Sequence, residues 1–399
     1  MMTQFENMNI IFIYPNSFPK GAAATNRLIT IARSLKEKGH DVKVFIIRPT
    51  EKKDNVLNTQ HIGQFLDVRY EYALENLDWP NNPILKLVKL ISGRIMSILK
   101  ILKDHRNRPV DVIVCAGTYT FAENLPYYLL SKIIGAKIIL TIDEYPWVLI
   151  NKNSYSQLYR FIYLKTYYKL FDGFITITET LKGYYSKLAR SQAMLYHLPM
   201  TVEFERFEHF SPDPNSSCYI AYVGNDPTGN KDGVNMLLEA FNIIKDDFPD
   251  CQLLIAGIVH LSTHEYAKEE HLQNKVVFLG FIERDLISEI LVNARALCLS
   301  RPNNLQADGG FPTKLGEYLA TGRPVVITDV GEIKEYLTDG VNAFIASPDD
   351  VKAYAEKLRS CLLDPVNADR IGSAGRQVAL DRFNYSIYSQ DLHTFVSNL

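Results

Sequence analysis

One stretch of the sequence combines residue types that suit the binding of a diphosphate. It covers residues 309–326 and reads GGFPTKLGEYLATGRPVV. Its two leading glycines allow a ligand to approach the backbone closely, and Pro312 favours the start of a helix. The first turn of that helix offers free N–H groups and the positive end of the helix dipole, to which Lys314 adds a full charge. Glu317, about one turn later, is placed to accept hydrogen bonds from a ribose.

Other motifs argue against common nucleotide and metal sites. The loop PNSFPKGAAATN lacks the G-x-G-x-x-G fingerprint, which disfavours a nicotinamide dehydrogenase. The segment GNDPTGNKD, residues 224–232, resembles a P-loop, but Asp follows the lysine where a P-loop needs a hydroxyl residue. Of the nine histidines only His260 and His264 are four residues apart, and they form no cluster with Asp, so we expect no metal site.

The elements that carry these motifs alternate between strands and helices. Continuous apolar runs such as 9–14 and 42–47 indicate strands buried on both faces, as in a parallel sheet covered by helices. We therefore predict an α/β fold of two tandem Rossmann-like, doubly wound domains facing across a cleft, which is the expected ligand site. The predicted division is a first domain (1–197), a linker (198–217), a second domain (218–380) and a C-terminal helix (381–399) that packs back toward the first domain.

Charge is distributed unevenly along the chain. The 399 residues carry a net charge of −2, but residues 1–199 hold 26 Lys and Arg against 16 Asp and Glu. A basic half points to nucleic acid, anionic lipid or a phosphorylated substrate as a partner. Because no nucleic-acid-binding module is recognisable, we expect no nucleic-acid partner.

Residues 84–108 concentrate this basic charge. Seven Lys and Arg stand there with one Asp, and Ile, Leu, Val and Met fill the other positions at helical spacing. The pattern predicts a basic amphipathic helix, divided at Gly93, that either lies on an anionic membrane or packs in the first domain with its lysines in solvent. Four tyrosines at i+4 spacing, from Tyr155 to Tyr167, predict a packing stripe.

The sequence also carries signals of cell location. Residues 1–8 include no Lys or Arg, so we expect no secretory signal, and no apolar run is long enough to span a bilayer. The five cysteines are an odd number and lie far apart, as is typical of buried thiols. We expect a cytoplasmic protein, peripheral on the inner face of the plasma membrane.

The 309–326 stretch closely resembles the donor-site motif of retaining glycosyltransferase family 4, which has the GT-B fold. It matches the branch reading F-P-x-K-L-x-E-Y-x-A-x-G-x-P-V. Further segments resemble that family's landmarks in order and spacing over nearly the whole chain: GAAATNRLITIARSLKEKGHDVKV (21–44), FDGFITITETLKGYY (171–185), LIAG (254–257), VVFLGFI (276–282) and GEIKEYLTDGVNAFIASPDD (331–350). The resemblance implies an acceptor-binding first domain and a nucleotide-sugar-binding second domain.

The resemblance also assigns residues of the donor site. Glu317 corresponds to the family's ribose-binding Glu, whereas the Glu that contacts the donor sugar falls at Gly309. Either the neighbouring Asp308 substitutes for it or backbone N–H groups alone hold the sugar. The family's V-G-R…K element keeps its diphosphate-binding Lys as Lys231 but has Asn225 in place of the Arg, whose charge Lys314 is expected to supply. The complete predicted donor set is Gly224, Asn225, Lys231, Phe281, Asp308, Gly309, Gly310, Phe311, Pro312, Thr313, Lys314, Leu315 and Glu317.

In the first domain, the family's His-Asp pair corresponds to TIDEYP, where Asp143 and Glu144 stand. With Lys231 these two carboxylates form the predicted catalytic set. The expected acceptor-side residues are Gly21, Ala22 and Asn26.

The implied reaction is transfer of a sugar, with retention, from a nucleotide diphosphate sugar to a glycan or lipid-linked acceptor. Charge that develops on the departing diphosphate would be stabilised by the helix dipole, Lys231 and Lys314 without a metal ion or cofactor. Two alternatives stay open, namely a sugar-nucleotide 2-epimerase of the same fold and a non-catalytic sugar-nucleotide binder.

Overall fold

A computed structural model describes residues 7–52, 56–149, 157–213 and 216–399. The chain divides into two compact units, one formed by residues up to Pro199 together with Tyr385–Leu399, the other by Met200–Asn384. Both units are parallel sheets covered by helices, which confirms the predicted α/β class.

The first unit is built on an eight-stranded sheet. Its strands are β1 (Asn9–Tyr14), β2 (Asp41–Ile46), β3 (Ile62–Phe65), β4 (Val68–Tyr72), β5 (Val112–Cys115), β6 (Lys137–Ile142), β7 (Gly173–Thr176) and β8 (Met194–His197). They are ordered β3-β4-β2-β1-β5-β6-β7-β8, and only the β3–β4 pair is antiparallel. Every residue of β1 is buried, as expected for a strand covered on both faces.

The helices that precede residue 200 are α1 (Ala23–Glu37), α2 (Pro83–Asn107), α3 (Phe121–Ile134), α4 (Pro146–Leu149), α5 (Gln157–Thr166) and α6 (Glu179–Ser186). The helix predicted over 84–108 is confirmed as α2, but Gly93 does not divide it. A Cβ atom on Gly93 would lie 2.2 Å from the carbonyl oxygen of Ile47, so this glycine lets α2 pass close to the chain that follows β2. Asn82 caps α2 by accepting hydrogen bonds from the N–H groups of Ile84 and Leu85.

The tyrosine stripe packs inside the first unit where the structure describes it. Tyr163 and Tyr167 are buried, and their ring centroids lie 4.5 Å apart. Tyr155 lies outside the described residues. The outward face of α5 carries Leu158, Phe161 and Ile162 instead.

The second unit has a six-stranded, fully parallel sheet. Its strands are β9 (Tyr219–Val223), β10 (Gln252–Ala256), β11 (Val276–Gly280), β12 (Ala296–Leu299), β13 (Val325–Thr328) and β14 (Phe344–Ala346). Its helices are α7 (Val234–Ile244), α8 (Leu261–Glu269), α9 (Arg284–Asn293), α10 (Leu305–Gly309), α11 (Thr313–Ala320), α12 (Val351–Leu363) and α13 (Pro365–Arg382). The strand order β11-β10-β9-β12-β13-β14 reverses between β9 and β12, and ligands of such sheets bind at that switch point.

The segment predicted as a linker, 198–217, enters the second unit early. Val202 donates its N–H to the carbonyl oxygen of Phe383 at 2.8 Å, and residues Phe204–Arg206 form a 3-10 turn with Phe204 buried. Residues 200–210 therefore belong to the second unit rather than to a solvated connection.

The predicted C-terminal helix over 381–399 comprises three pieces in the structure. These are the end of α13, a 3-10 turn (Tyr385–Tyr388) and α14 (Ser389–Ser397). The last two pieces belong to the first unit, where Ser34 donates a hydrogen bond to the carbonyl oxygen of Tyr385 and His40 lies 2.9 Å from His393 between ring nitrogens. Burial, with a contribution from His393, lowers the pKa of His40 to about 4.

Candidate functional site

Helix α11 is anchored beneath the end of β9. The hydroxyl of Tyr318 accepts a hydrogen bond from the Val223 N–H at 2.7 Å and donates one to the Val223 carbonyl at 3.2 Å. A Cβ atom on Gly224 would lie 1.8 Å from Cε of Lys314, so a side chain at position 224 would displace the end of the Lys314 side chain. The first turn of α11 is thus held at the switch point. Its Leu315 N–H donates to the Pro312 carbonyl at 2.9 Å and its Gly316 N–H to Sδ of Met200 at 3.1 Å, which leaves the N–H groups of Thr313 and Lys314 for a ligand.

Lys314 forms a buried charged cluster with two partners outside its own helix. Its ammonium group contacts the Asp232 carboxylate and lies 3.3 Å from the hydroxyl of Tyr222, which donates to Asp232 at 2.7 Å. Burial alone would raise the pKa of Asp232, but Lys314 holds it below its ordinary value. Burial lowers the pKa of Lys314, and Asp232 opposes that shift. In this structure Lys314 therefore neutralises Asp232, which sequence analysis did not single out.

The loop that carries Lys231 is fixed by another buried carboxylate. Asp226 accepts hydrogen bonds from the N–H groups of Lys231 and Asp232, both at 3.1 Å. The side chain of Lys231 itself is exposed. Its position in the loop is set by the backbone, and its charge stays open to a ligand.

Glu317 lies in a second charged network. Its Oε1 is 2.5 Å from Nη1 of Arg206, and Nη2 of Arg206 donates to the carbonyl oxygen of Arg284 at 3.4 Å. Arg284 in turn pairs with Glu203, and burial lowers the pKa of Arg284. Two of these partners, Glu203 and Arg206, come from the segment that the sequence predicted to be a linker, so sequence analysis missed them.

The remaining predicted donor residues divide into packing positions and open positions. Phe311 is buried against the rings of Tyr336 and Phe383, at centroid distances of 5.3 and 5.8 Å. The other buried members of the predicted set are Gly309, Gly310, Pro312 and Leu315. Asp308 is exposed on α10, Phe281 is exposed directly after β11, Thr313 is half-buried, and Asn225 accepts a hydrogen bond from the Ile258 N–H at 2.9 Å.

In the first unit, Asp143 follows β6 and is held by an arginine that sequence analysis also missed. Nε of Arg27 donates to Asp143 Oδ1 at 2.8 Å, and its two terminal nitrogens donate to the carbonyl oxygens of Pro199 and Leu198 at 2.8 Å. Asp143 and Arg27 line a small cavity of about 20 Å³. Glu144 contributes its carbonyl oxygen to a hydrogen bond from the Tyr185 hydroxyl, at 2.8 Å.

The acceptor-side residues predicted from the sequence lie at the start of α1. Ala22 is its exposed N-cap residue, and its carbonyl accepts hydrogen bonds from the N–H groups of Thr25 and Asn26. A Cβ atom on Gly21 would lie 2.2 Å from Oγ1 of Thr25, so a side chain there would displace the turn.

Comparison with known proteins identifies the fold. Residues 204–378, which form most of the second unit, match the family model "Glycosyl transferases group 1". The Anabaena protein HepE, in a structure with UDP, superposes with a TM-score of 0.68 at 16% identity over 98% of this chain and 100% of its own. The chain has a GT-B fold. This confirms the predicted fold class, and the match to the group 1 family supports the predicted resemblance.

Two curated proteins are similar to part of this GT-B chain. An alpha-1,3/1,6-mannosyltransferase of Dictyostelium discoideum is 28% identical over 181 residues, which are 45% of this chain and 36% of that protein. A GDP-mannose-dependent phosphatidylinositol monomannoside mannosyltransferase of Mycolicibacterium smegmatis is 28% identical over 208 residues, 48% of this chain and 53% of that protein. The chain thus spans between about a third and a half of the length of these relatives.

No cluster of three or more His, Cys, Asp and Glu side chains that could hold a metal ion occurs in the part of this GT-B chain that the structure describes. All five cysteines are free thiols, and four of them are buried.

Proposed function

We propose that this protein is a retaining glycosyltransferase that moves a sugar from a nucleotide diphosphate sugar to a glycan or lipid-linked acceptor, in surface polysaccharide or glycolipid synthesis. The observation that carries the proposal is the anchoring of the α11 first turn and Glu317 at the switch point, within the region that matches the group 1 family. Two similar proteins support a nucleotide-linked donor: the structure of one contains UDP, and the other is named as dependent on GDP-mannose.

The residues of the second unit divide the work of donor binding. The N–H groups of Thr313 and Lys314 at the start of α11 and the exposed Lys231 bind the diphosphate, and Glu317 accepts hydrogen bonds from the ribose hydroxyls. During transfer the oxygen of the acceptor hydroxyl bonds to the anomeric carbon as the bond from that carbon to the diphosphate breaks. The electron pair of the broken bond stays on the diphosphate, which takes up the proton of the acceptor hydroxyl. The helix dipole and Lys231 stabilise that charge, so the reaction needs neither a metal ion nor a cofactor. Asp143, oriented by Arg27, is the carboxylate that positions the acceptor.

Donor binding is tested by thermal unfolding of the full chain with UDP, GDP and ADP. A ligand present at 100 times its Kd stabilises a protein by about 2.7 kcal/mol, so the preferred nucleotide should raise the melting temperature by several degrees. A chain that none of the three nucleotides stabilises would overturn the donor assignment.

The reaction class is tested by the stereochemistry of the product. NMR of the product should show the anomeric configuration of the donor, and activity should persist in a chelator. A donor converted without any acceptor would instead identify an epimerase, and nucleotide binding without turnover would identify a binder.

We also propose that the first unit docks on an anionic bilayer through an apolar surface. The outward face of α2 exposes Ile84, Leu87, Val88, Ile91, Ile95 and Leu99, most of them by half or more of their area. Their spacing of three and four residues places them along one stripe of the helix. No helix in the described ranges is long and apolar enough to cross a membrane, so this stripe fits a surface contact.

Two further helices extend the stripe into a surface. Exposed apolar residues of α3 are Leu125, Leu129 and Ile133, and those of α5 are Leu158, Phe161 and Ile162. The connections β4–α2–β5, β5–α3–β6 and β6–α5–β7 run in one direction across the sheet, so right-handed crossovers place the three helices on the same face. We call these outward residues of α2, α3 and α5 the apolar face.

The charge around the apolar face favours an anionic membrane over a protein partner. The three helices hold nine Lys and Arg residues against two acidic residues. Lys100 forms a 2.7 Å ion pair with Glu71, so we do not count it among the lipid contacts. Lys86 and Lys89 are the lysines of α2 that we expect to contact lipid headgroups. Each such charge contributes about 1 kcal/mol near an anionic surface.

Co-sedimentation with vesicles tests this docking. Binding should rise with the fraction of anionic lipid and fall with salt. The double variant Ile91→Ser/Ile95→Ser should lose most of it, whereas Ile243→Ser, at an exposed isoleucine of the second unit, should bind like the parent. Equal binding by the double variant and the parent would remove the apolar face as the docking surface.

A further inference from the structure

A second cavity of the first unit lies at the carboxyl edge of its sheet and is not used by the donor site. It has a volume of about 290 Å³ and is lined by Asn16, Arg48, Thr50, Lys52 and Trp79, which we call the Trp79 groove. Two of its walls follow directly after β1 and β2, where ligands of parallel sheets bind. Its volume lies near the lower end of the range for small-molecule sites, which suits one sugar unit with a charged substituent.

The walls of the groove are held by hydrogen bonds, so its shape exists without a ligand. The N–H groups of Thr50 and Glu51 donate to the carbonyl oxygen of Leu77, and the Trp79 N–H donates to the carbonyl oxygen of Glu51 at 2.8 Å. This pairing of backbone groups holds the chain at Trp79 next to residues 50–52. On the opposite wall, Nε of Arg48 donates to the Pro15 carbonyl at 2.6 Å.

The groove presents positive charge that its own residues do not neutralise. Among the described residues, neither Arg48 nor Lys52 lies within ion-pair distance of a carboxylate. Burial lowers the pKa of Arg48, and the more distant Glu123 carboxylate opposes that shift. The neighbouring Glu51 is buried, and its carboxylate accepts hydrogen bonds from the N–H groups of Leu57 and Asn58. The guanidinium of Arg48 lies 5.8 Å from the centroid of the Trp79 ring, so a cation and an aromatic face border the same space.

We propose that the Trp79 groove is an acceptor subsite for a sugar phosphate. Arg48 and Lys52 bind the phosphate, and the indole ring of Trp79 packs against the C–H groups of the sugar ring. This inference rests on the proposed transferase function and names the acceptor class. A neutral sugar would bring no negative charge to these two cations, so the groove selects against it.

The position of the groove relates it to the apolar face. Gly93 of α2 lies against the backbone of Ile47 and Arg48, and only three residues separate Trp79 from the first residue of α2. A phosphate carried by a membrane lipid would therefore reach the groove beside the helix that contacts the bilayer. A soluble sugar phosphate carries the same recognised chemistry, and the experiment separates the two sources.

Tryptophan fluorescence offers a direct test, because Trp79 lines the groove and the second of the two tryptophans can be replaced. In a Trp147→Phe background of the full chain, glucose 1-phosphate should give a saturable change in Trp79 emission. Glucose should bind at least about tenfold more weakly than glucose 1-phosphate, and a tenfold difference in Kd corresponds to about 1.4 kcal/mol. Equal affinity for glucose and its phosphate ester would overturn the proposal.

Substitutions separate the phosphate contact from folding. Because Arg48 also holds Pro15, Lys52→Gln is the decisive variant, and it should weaken glucose 1-phosphate binding about threefold to tenfold. Lys137→Gln, at an exposed lysine that opens β6, is the matched control and should bind like the parent. A Lys52→Gln variant with parental affinity would overturn the assignment.

Competition by vesicles identifies the source of the phosphate. If phosphatidylinositol in phosphatidylcholine vesicles displaces glucose 1-phosphate and pure phosphatidylcholine does not, the groove takes a lipid-borne phosphate. If neither vesicle displaces it, the acceptor is soluble, and both results support a phosphate subsite. Nucleotide binding measured on the same Lys52→Gln variant should match the parent, so a failure in the groove alone would leave the transferase function standing.

Discussion

The carboxyl edges of the two sheets carry similar charged residues that are partnered in different ways. In the second unit the less exposed cations of the donor site face carboxylates, as Lys314 does with Asp232 and Arg206 does with Glu317, whereas the exposed Lys231 stays open to a ligand. In the Trp79 groove of the first unit, Arg48 and Lys52 have no such partner among the described residues.

Burial explains the difference. Asp232 is 2% exposed, and a charge at that depth is tolerated only with an opposite charge beside it. Lys52 is exposed, so water stabilises its charge until a ligand arrives. In the second unit the ion pairs hold the donor site in shape before a ligand binds. In the Trp79 groove the positive charge of Arg48 and Lys52 can still attract an anionic ligand.

The largest expected effect comes from breaking the buried pair. Asp232→Ala leaves Lys314 buried without its counter-charge, and we expect a loss of about 3–5 kcal/mol in the free energy of unfolding. Urea unfolding followed by circular dichroism measures this loss. Tryptophan fluorescence should change less, because both tryptophans belong to the first unit.

Two further variants control that result. Asp308→Ala, at an exposed carboxylate of the same unit, should change the stability little. The double variant Asp232→Asn/Lys314→Met should recover only part of the loss, because it removes the Lys314 charge but leaves the buried Arg301, 4.0 Å from Asp232 in the parent, without that carboxylate. An Asp232→Ala chain as stable as the parent would show that the pair does not hold the edge together.

A smaller effect is expected on nucleotide affinity. Glu317→Gln removes the charge that accepts ribose hydroxyls, and hydrogen bonds to charged groups contribute about 1.5–3 kcal/mol, so the Kd for the preferred nucleotide should rise about tenfold to a hundredfold. Isothermal titration calorimetry measures it. Glu265→Gln, at an exposed position on α8, is the control, and equal affinities in the two variants would place the ribose elsewhere.

Acid should weaken the first unit before the second. The pKa of His40 is about 4 in the folded chain, below its ordinary value of 6.5, so the unfolded chain binds more protons between these values. Stability should therefore fall as the pH drops from about 6.5 toward 4, by about 2 kcal/mol between pH 7 and 5. Asp232, with its lowered pKa, loses its contribution only when the pH falls below the ordinary carboxylate range.

Urea unfolding monitored by tryptophan fluorescence at pH 7 and 5 measures this dependence in the first unit. His40→Gln should flatten it, whereas His61→Gln should leave it unchanged. The histidine assignment fails if the His40 variant keeps the parental pH profile.

The smallest effect is expected at the exposed Lys231. A solvated charge contributes about 0.2–1 kcal/mol, so Lys231→Gln should weaken nucleotide diphosphate binding about twofold to fivefold, and less at high salt. Lys268→Gln on α8 is the matched control. An effect as large as that of Glu317→Gln would mean that Lys231 is desolvated in the complex.

The sequence by itself determined the elements whose signals are local. A continuous apolar run predicted a strand over 9–14, and β1 has those bounds. Helical spacing predicted a helix over 84–108, and α2 spans Pro83–Asn107. The proline and glycine that bracket the donor motif likewise predicted α11, because capping and breaking of a helix depend on neighbouring residues.

Only the tertiary structure decided which charges meet. Arg206 is 111 residues from Glu317, Lys314 is 82 from Asp232, and Arg27 is 116 from Asp143. The tertiary structure also showed that α2 turns Ile84, Ile91 and Ile95 outward and buries Ile101, a choice that helical spacing leaves open. The physical reason is that ion pairing and burial depend on distances in space. The strand order sets those distances, and no local segment of the sequence predicts that order.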